Sequence, residues 1–248
     1  MTGLIEIENA NKTYRNHGLS VHAVRGVSLS VAHGEFIAIT GASGSGKSTF
    51  MHLLGCLDQL TSGSYRLEGR ETSTLNKKQL AKLRNDRIGF VFQAFNLLSR
   101  TTIVDNVALP LLYQGVRRAE RRKRAAEMLD RVGLGDRLQH LSNQLSGGQQ
   151  QRVAVARALI TKAPMILADE PTGNLDTKTS HEIMNLFRAL NRDEGVCVIL
   201  VTHEPEIADY ADRHVKFRDG IIIEDTGSEI SSSAHPQPDG KALFAAAS

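Results

Sequence analysis

The segment Gly41-Ala42-Ser43-Gly44-Ser45-Gly46-Lys47-Ser48 constrains this chain more than any other. It fits G-x-x-x-x-G-K-[ST], the phosphate-binding loop, which needs a strand before it and a helix after it. Both are legible. Phe36-Ile37-Ala38-Ile39 is a continuous apolar run of the kind a buried parallel strand needs, and Ser48-Thr49-Phe50-Met51-His52-Leu53-Leu54 opens as a helix. Glycines allow backbone angles that side chains forbid, so successive N–H groups can face phosphate oxygens. The helix N-terminus adds partial positive charge. Lys47 is expected to reach the β- and γ-phosphates, and the Ser48 hydroxyl to bind Mg2+.

Around this loop, strands alternate with helices. Residues 4–8 alternate apolar and acidic as a half-exposed strand does, and residues 27–31 and 63–67 read as further strands. Three apolar runs, at residues 88–92, 165–168 and 196–201, read as buried strands. Helices are expected over 76–84, 103–113, 119–132, 146–160 and 177–190, and Asp219-Gly220 marks a hairpin. The pattern predicts an α/β fold around a mostly parallel sheet. The stretch from about 94 to 158 lacks strands and reads as an inserted helical piece. From Ser228 the chain turns Ser-, Pro- and Ala-rich, so 228–248 is expected to be a disordered tail.

Composition narrows the setting. With 248 residues, 41% of them hydrophobic, the chain can bury a substantial core. A net charge of +3 does not argue for a nucleic-acid partner, and none is expected. Cys56 and Cys197 lie inside apolar runs, which favours buried reduced thiols and the cytosol. No leader pattern opens the chain, and no apolar stretch approaches the ~18 residues a membrane-spanning helix needs. Work at a membrane would require another polypeptide to cross it.

A second set of acids completes the site. Met165-Ile166-Leu167-Ala168 runs into Asp169-Glu170, at the carboxyl end of a strand, where α/β proteins bind ligands. Asp169 is expected to hold Mg2+, through water, and Glu170 to polarise an attacking water. The alternative is a pair of solvated strand-end acids, which the phosphate loop in the same chain disfavours.

Leu145-Ser146-Gly147-Gly148-Gln149-Gln150-Gln151-Arg152 opens a second helix with a good cap and exposed amides. This segment resembles the signature motif of ATP-binding-cassette (ABC) ATPases. Other matches follow in order. Gln93, after Val91-Phe92, resembles the family's glutamine loop, Asn174-Leu175-Asp176 its D-loop, and His203 its switch histidine. Tyr14 resembles the aromatic that stacks on adenine. Singly, Gln93 could be a polar strand end, His203 a capping or core histidine and Tyr14 a surface aromatic; the ordered set favours the functional reading. Ala42 stands where many relatives carry Pro, a change the loop tolerates.

The resemblance covers about residues 4–226 and implies a P-loop NTPase with a RecA-like core, an antiparallel β part and an inserted helical subdomain. It implies one nucleotide-binding domain over 1–227. ATP would contact Tyr14, Gly41, Ala42, Ser43, Gly44, Ser45, Gly46, Lys47, Ser48, Thr49 and Gln93, and Mg2+ would be held by Ser48, Gln93 and Asp169. Glu170, His203 and Lys47 would be catalytic. Ser146, Gly147, Gly148 and Gln149 would act in trans across a head-to-tail dimer of two copies, with Asp176 in the D-loop.

Residues 51–58, 90–98 and 168–176 are similar to the branch of lipoprotein-release and macrolide-export ATPases, the LolD/MacB type. That resemblance implies a separate permease with a large extracytoplasmic domain and leaves room for a periplasmic adaptor. It places the chain at the cytoplasmic face of the inner membrane. A cell-division-type regulatory cassette or a soluble non-transport cassette are the competing readings. The run from Arg117 to Arg124 reads first as the solvated face of a helix and second as a contact for anionic lipid; the lack of interleaved aromatics argues against nucleic acid.

Overall fold

The computed structural model describes residues 3–16 and 19–229, so the tail expected over 228–248 lies, from residue 230 on, outside the described residues. In chain order the elements are β1 (Ile5–Asn16), β2 (Leu19–Val31), β3 (Phe36–Thr40), α1 (Lys47–Leu54), β4 (Ser62–Leu67), β5 (Arg70–Glu71), α2 (Lys77–Arg87) and β6 (Ile88–Phe92). They continue as α3 (Ile103–Tyr113), α4 (Arg118–Arg131), α5 (Gly147–Leu159), β7 (Met165–Asp169), α6 (Thr177–Glu194), β8 (Cys197–Val201), α7 (Pro205–Ala208), β9 (Arg213–Arg218) and β10 (Ile221–Asp225).

Two sheets result. The larger runs β10-β9-β3-β8-β7-β6, parallel except for the β9–β10 hairpin; the smaller is antiparallel, in the order β2-β1-β4-β5. The period-two alternation of side chains explains the layering. On β3, Phe36 and Ala38 face a core shared with α3, α4, α5 and α6, while Ile37 and Ile39 face a second core against α1 and the antiparallel sheet. β7 and β8 divide in the same way: Ile166, Val198 and Leu200 point to the first core, and Leu167, Cys197 and Ile199 to the second. Both faces of the parallel sheet are therefore covered, which is why its strands read as unbroken apolar runs. Cys56 and Cys197 are both buried and free.

β1 and β2 run well beyond the residues 4–8 and 27–31 that alternation marks out. Asn9 takes a positive φ of +48°, and the β1–β2 register shifts between Ile7, Ala10, Lys12 and Thr13. Each bulge resets the facing of the side chains, so no period-two signal survives past residue 8. Among the described residues, no helix is long and apolar enough to cross a membrane.

The helical piece is pinned by a buried amide. Asn106, fully buried on α3, accepts from Leu98 N at 2.7 Å and donates to the carbonyls of Leu98, Thr101 and Thr102, each at 3.1 Å.

On the opposite side, Arg213 ties three strands together. It donates to Asp225 through Nε and Nη2, both at 2.8 Å, to Glu35 at 2.7 Å and to Ser30 O at 2.9 Å. This guanidinium holds the Asp225 carboxyl below its ordinary value. A depressed carboxylate stabilises the fold above its unfolded value, and that contribution disappears as pH falls through the lowered one. Arg213→Met leaves two carboxylates facing a mostly buried gap and is expected to cost about 3 kcal/mol in urea unfolding at neutral pH. The loss should shrink in acid, where Asp225 is protonated in both proteins.

Candidate active site

The phosphate loop is held in shape from three sides. Gly46 has φ +102°, and a Cβ there would fall 2.4 Å from the Ala23 carbonyl oxygen of β2. On the hairpin side, Gly220 N donates to Ser45 O at 2.9 Å, and Arg25 N donates to Gly220 O at 2.8 Å. Lys47 folds back over the loop, donating to Gly41 O at 2.7 Å and Ala42 O at 2.9 Å. α1 begins with no side-chain cap and no acid in its first turn, so its N-terminal amides are open to an anion. The Ser45 hydroxyl is buried without a partner.

The loop forms one wall of an open cleft of about 960 Å3, which residues 42–44 and 46–49 line together with Tyr14, His22, Glu170 and His203. Tyr14 stands at the cleft on the antiparallel sheet. Its hydroxyl donates to Asp58 Oδ2 at 2.9 Å, and Lys12 Nζ lies 4.9 Å from its ring centroid. Lys12 is itself anchored by Asp58 Oδ1 at 2.6 Å and Gln59 O at 2.8 Å.

The facing wall comes from the ends of β7 and β8. Glu170 has φ +45°, a left-handed conformation that costs a non-glycine residue on the order of 1–3 kcal/mol. Its N–H donates to Val201 O at 2.9 Å, which fixes the turn to the neighbouring strand. His203 Nδ1 lies 2.7 Å from Glu170 Oε1, and the Thr202 hydroxyl donates to Oε2 at 3.4 Å. The hydrogen bond and charge of Glu170 raise the His203 pKa above the ordinary 6.5. Asp169, just before, is held above its ordinary value, first by burial and then by the Glu170 charge. A cation beside it would relieve both effects. No cluster of three or more His, Cys, Asp or Glu suited to a metal forms among the described residues. The donors present, the Ser48 hydroxyl and the Asp169 carboxylate, are hard oxygens of the kind that bind Mg2+ together with phosphate and water.

Some expected site residues stand apart from the cleft. Gln93 directly follows β6 and is exposed; its carbonyl accepts from Asn174 Nδ2 at 2.9 Å, and a Cβ on Gly173 would lie 2.6 Å from its Nε2. Gln93 and Asp169 follow and end adjacent strands, with Phe92 opposite Asp169, but neither lines the cleft. Ser146 and Gln149 form a reciprocal capping box on α5, Ser146 N donating to Gln149 Oε1 at 3.0 Å. A Cβ on Gly148 would meet Thr179 Cγ2 at 2.4 Å. Asp176 caps α6, accepting from Thr179 N at 2.9 Å and Thr179 Oγ1 at 2.7 Å; these bonds hold its carboxyl below the ordinary value. Ser146, Gly147, Gly148 and Gln149 therefore gather near the start of α6, and none lines the phosphate-loop cleft.

The family model described as "ABC transporter" matches residues 24–173. The chain belongs to the ABC transporter family. This ABC cassette is 52% identical over 237 residues to the macrolide export ATP-binding/permease protein MacB of Chlorobaculum tepidum, covering 96% of the chain and 36% of that protein. It is 50% identical over 220 residues to the ABC transporter ATP-binding protein YknY of Bacillus subtilis, covering 89% of the chain and 95% of that protein. The chain thus spans about a third of the length of the MacB relatives and nearly all of YknY. A solved dimer of the ATP-binding cassette MJ0796, in a post-hydrolysis state bound to ADP and Pi, superposes with a TM-score of 0.83 at 43% identity, covering 89% of this chain and 97% of that one. The chain is accordingly an ABC ATPase cassette with the P-loop NTPase fold.

Thr202, Lys12 and Asp58 escaped the sequence reading. Thr202 precedes His203 and differs in no way from an ordinary strand-end residue. Lys12 and Asp58 meet across 46 residues, a pairing that no local pattern encodes.

Proposed function

We propose that this cassette binds ATP in the cleft between the phosphate loop and Tyr14, and hydrolyses it within a head-to-tail dimer that drives a membrane permease. One observation carries the dimer. The phosphate loop, Glu170 and His203 share a cleft, while the Ser146–Gln149 helix start does not line it and is already self-capped. A signature motif that meets a γ-phosphate held by Lys47 would then come from a second copy, a reading the dimeric relatives support.

Chemistry at a γ-phosphate is mostly positioning and charge stabilisation. Lys47 and the amides of residues 43–49 cradle the phosphates, and Glu170 orients the attacking water. His203, now tied to Glu170, turns to the γ-phosphate. Ser48 and Asp169, with Gln93, would hold Mg2+, which supplies neutralisation of phosphate charge. Gln93 stands where β6 meets the helical piece, so differential contact at the γ-phosphate can reposition that piece.

The Tyr14 ring would stack on the adenine. Lys12 and Asp58 fix the plane of that ring before nucleotide arrives. Lys12→Met is expected to raise the KM for ATP roughly 3–10-fold with kcat unchanged, and Lys12→Arg to restore most of the loss. Steady-state ATPase assays on the three proteins check this.

A second concave surface suits the permease. A groove of about 910 Å3 runs between α2, β6, α3 and α5, and Leu57, Phe90, Phe92, Pro110 and Tyr113 supply its apolar walls. Phe90 and Phe92 stack with ring centroids 5.7 Å apart. β6 leads directly from this groove to Gln93. A cytoplasmic helix of a permease seated here would sense the state of the γ-phosphate through one strand. We place the cassette at the cytoplasmic face of the membrane on that ground.

The test is recovery of Glu170→Gln with ATP from native membranes in mild detergent, with identification of what co-purifies. An integral membrane protein with a large external domain, retained only with ATP, supports the reading. Soluble partners alone would leave a non-transport ATPase.

A further inference from the structure

The tip of the α3–α4 hairpin combines two surface features that the ATPase does not use. Tyr113 and Leu112, at the end of α3, are 73% and 46% exposed, large apolar side chains open to solvent. Four residues after Tyr113, at Arg117, begins the basic run. Among the described residues, Arg122 pairs with Asp105 and Arg124 with Glu120, while Arg117, Arg118, Arg121 and Lys123 enter no ion pair. A tight turn holds the two features together: Gly115 N donates to Leu112 O and Val116 N to Leu111 O, each at 3.0 Å. Arg121 adds a bond to Val116 O at 3.3 Å. Arg117 and Arg118 are exposed, and Arg117 makes no capping bond to α4.

An aliphatic and an aromatic side chain beside unpaired arginines suit one environment well. Tyr and Leu lie at the boundary between headgroups and acyl chains, while guanidinium groups take phosphate oxygens bidentately. Nucleic acid fits less well, because no aromatics interleave with the basic residues. Position agrees with the chemistry: Tyr113 and Pro110 also form a wall of the groove given above to the permease. The tip and that groove are neighbours, so a permease in the groove brings a bilayer to the tip.

We propose that the α3–α4 tip, through Leu112, Tyr113, Arg117 and Arg118, is a contact surface for the anionic lipid of the membrane that holds the permease. Its relevance in the cell rests on the permease reading, but the contact itself is a property of the cassette. It would orient the cassette before permease capture and retain it between turnovers.

The full chain is sedimented with phosphatidylcholine vesicles made with and without phosphatidylglycerol, at low and physiological salt. Binding is expected to require phosphatidylglycerol and to weaken with salt. Each basic side chain near such a surface strengthens binding on the order of five-fold, so R117Q/R118Q is expected to weaken it roughly twenty-fold. L112S, at a position outside the groove lining, should weaken it as well, and both variants should keep wild-type ATP turnover, which also reports their folding. Absence of vesicle binding, equal binding to neutral vesicles, or anionic binding untouched by either variant would overturn the proposal. So would failure of the variants to capture the permease in detergent, where no bilayer exists, since that would make the tip a protein contact. Lost permease capture by the wild-type cassette, with anionic vesicle binding intact, counts against the permease reading alone.

Discussion

Glu170→Gln is expected to lower ATP turnover by about 10²–10⁴-fold while ATP binding is retained. The amide matches the carboxylate in size and can occupy the same left-handed backbone at φ +45°, so the turn between β7 and α6 survives. What is lost is the negative charge that orients and polarises water. With hydrolysis stalled, the ATP-bound dimer should accumulate, visible as a doubling of mass in size-exclusion chromatography with ATP. Rapid turnover by the variant would remove Glu170 from the role proposed for it.

The same substitution has an electrostatic signature at His203. The Glu170 carboxylate raises the His203 pKa above 6.5 in the folded protein. The protonated pair therefore stabilises the fold below the ordinary histidine value, and this stabilisation is lost as pH rises through the raised one. In Glu170→Gln, an NMR titration of His203 should move back toward the ordinary value. The side chain is 66% exposed, so solvent screening keeps the effect on global stability small.

Gly46→Ala is expected to abolish measurable ATP binding, with a loss of at least about 100-fold. Two independent costs coincide there. An alanine at φ +102° is strained, and its Cβ would sit 2.4 Å from Ala23 O and 3.3 Å from the Gly220 Cα, both backbone positions on other elements. Neither neighbour can rotate away. The loop must shift, and the amides aimed at phosphate shift with it. Gly69→Ala is the matched control. It has φ +74° with nothing within 4 Å of the added carbon, lies in the β4–β5 turn, and should cost about 1–2 kcal/mol of stability with ATP binding intact. Calorimetric ATP titration and thermal unfolding of the two variants separate loop geometry from backbone strain.

The parallel sheet and its phosphate loop were legible because their signals are local. Apolar runs of buried strands, a glycine spacing and a strand-to-helix switch all fit inside a dozen residues. Ser146 announced its helix start by capping chemistry and makes that cap; Asn76 and Asp176 cap α2 and α6 in the same way. The far end of α6 was also readable in principle, since Gly195 takes the left-handed turn at φ +65° that ends it four residues past Leu190. In the antiparallel sheet β4 was legible as residues 63–67, but β1 and β2 were not legible beyond residues 4–8 and 27–31, because the bulges around Asn9 erase alternation. Within the site, residue types were readable but their connections were not. The pairing of Lys12 with Asp58, the backbone strain at Glu170 and the placing of the Ser146 helix start outside the cleft lining are products of tertiary assembly.

The position of β3 also sets an order of events during synthesis. β3 carries the phosphate loop, yet its neighbours are β8 and β9: Ile39 lies opposite Val201 on one side and Val215 on the other. Gly220, beyond both, donates to the loop itself. A ribosome that has made the loop must therefore translate almost the whole cassette before that loop has a sheet to stand in. Such distant pairings form slowly and leave hydrophobic strands uncovered meanwhile. Nascent chains arrested before the β9–β10 hairpin should be chaperone-bound and unable to hold nucleotide, so ATP capture can serve as a report that the cassette has been finished.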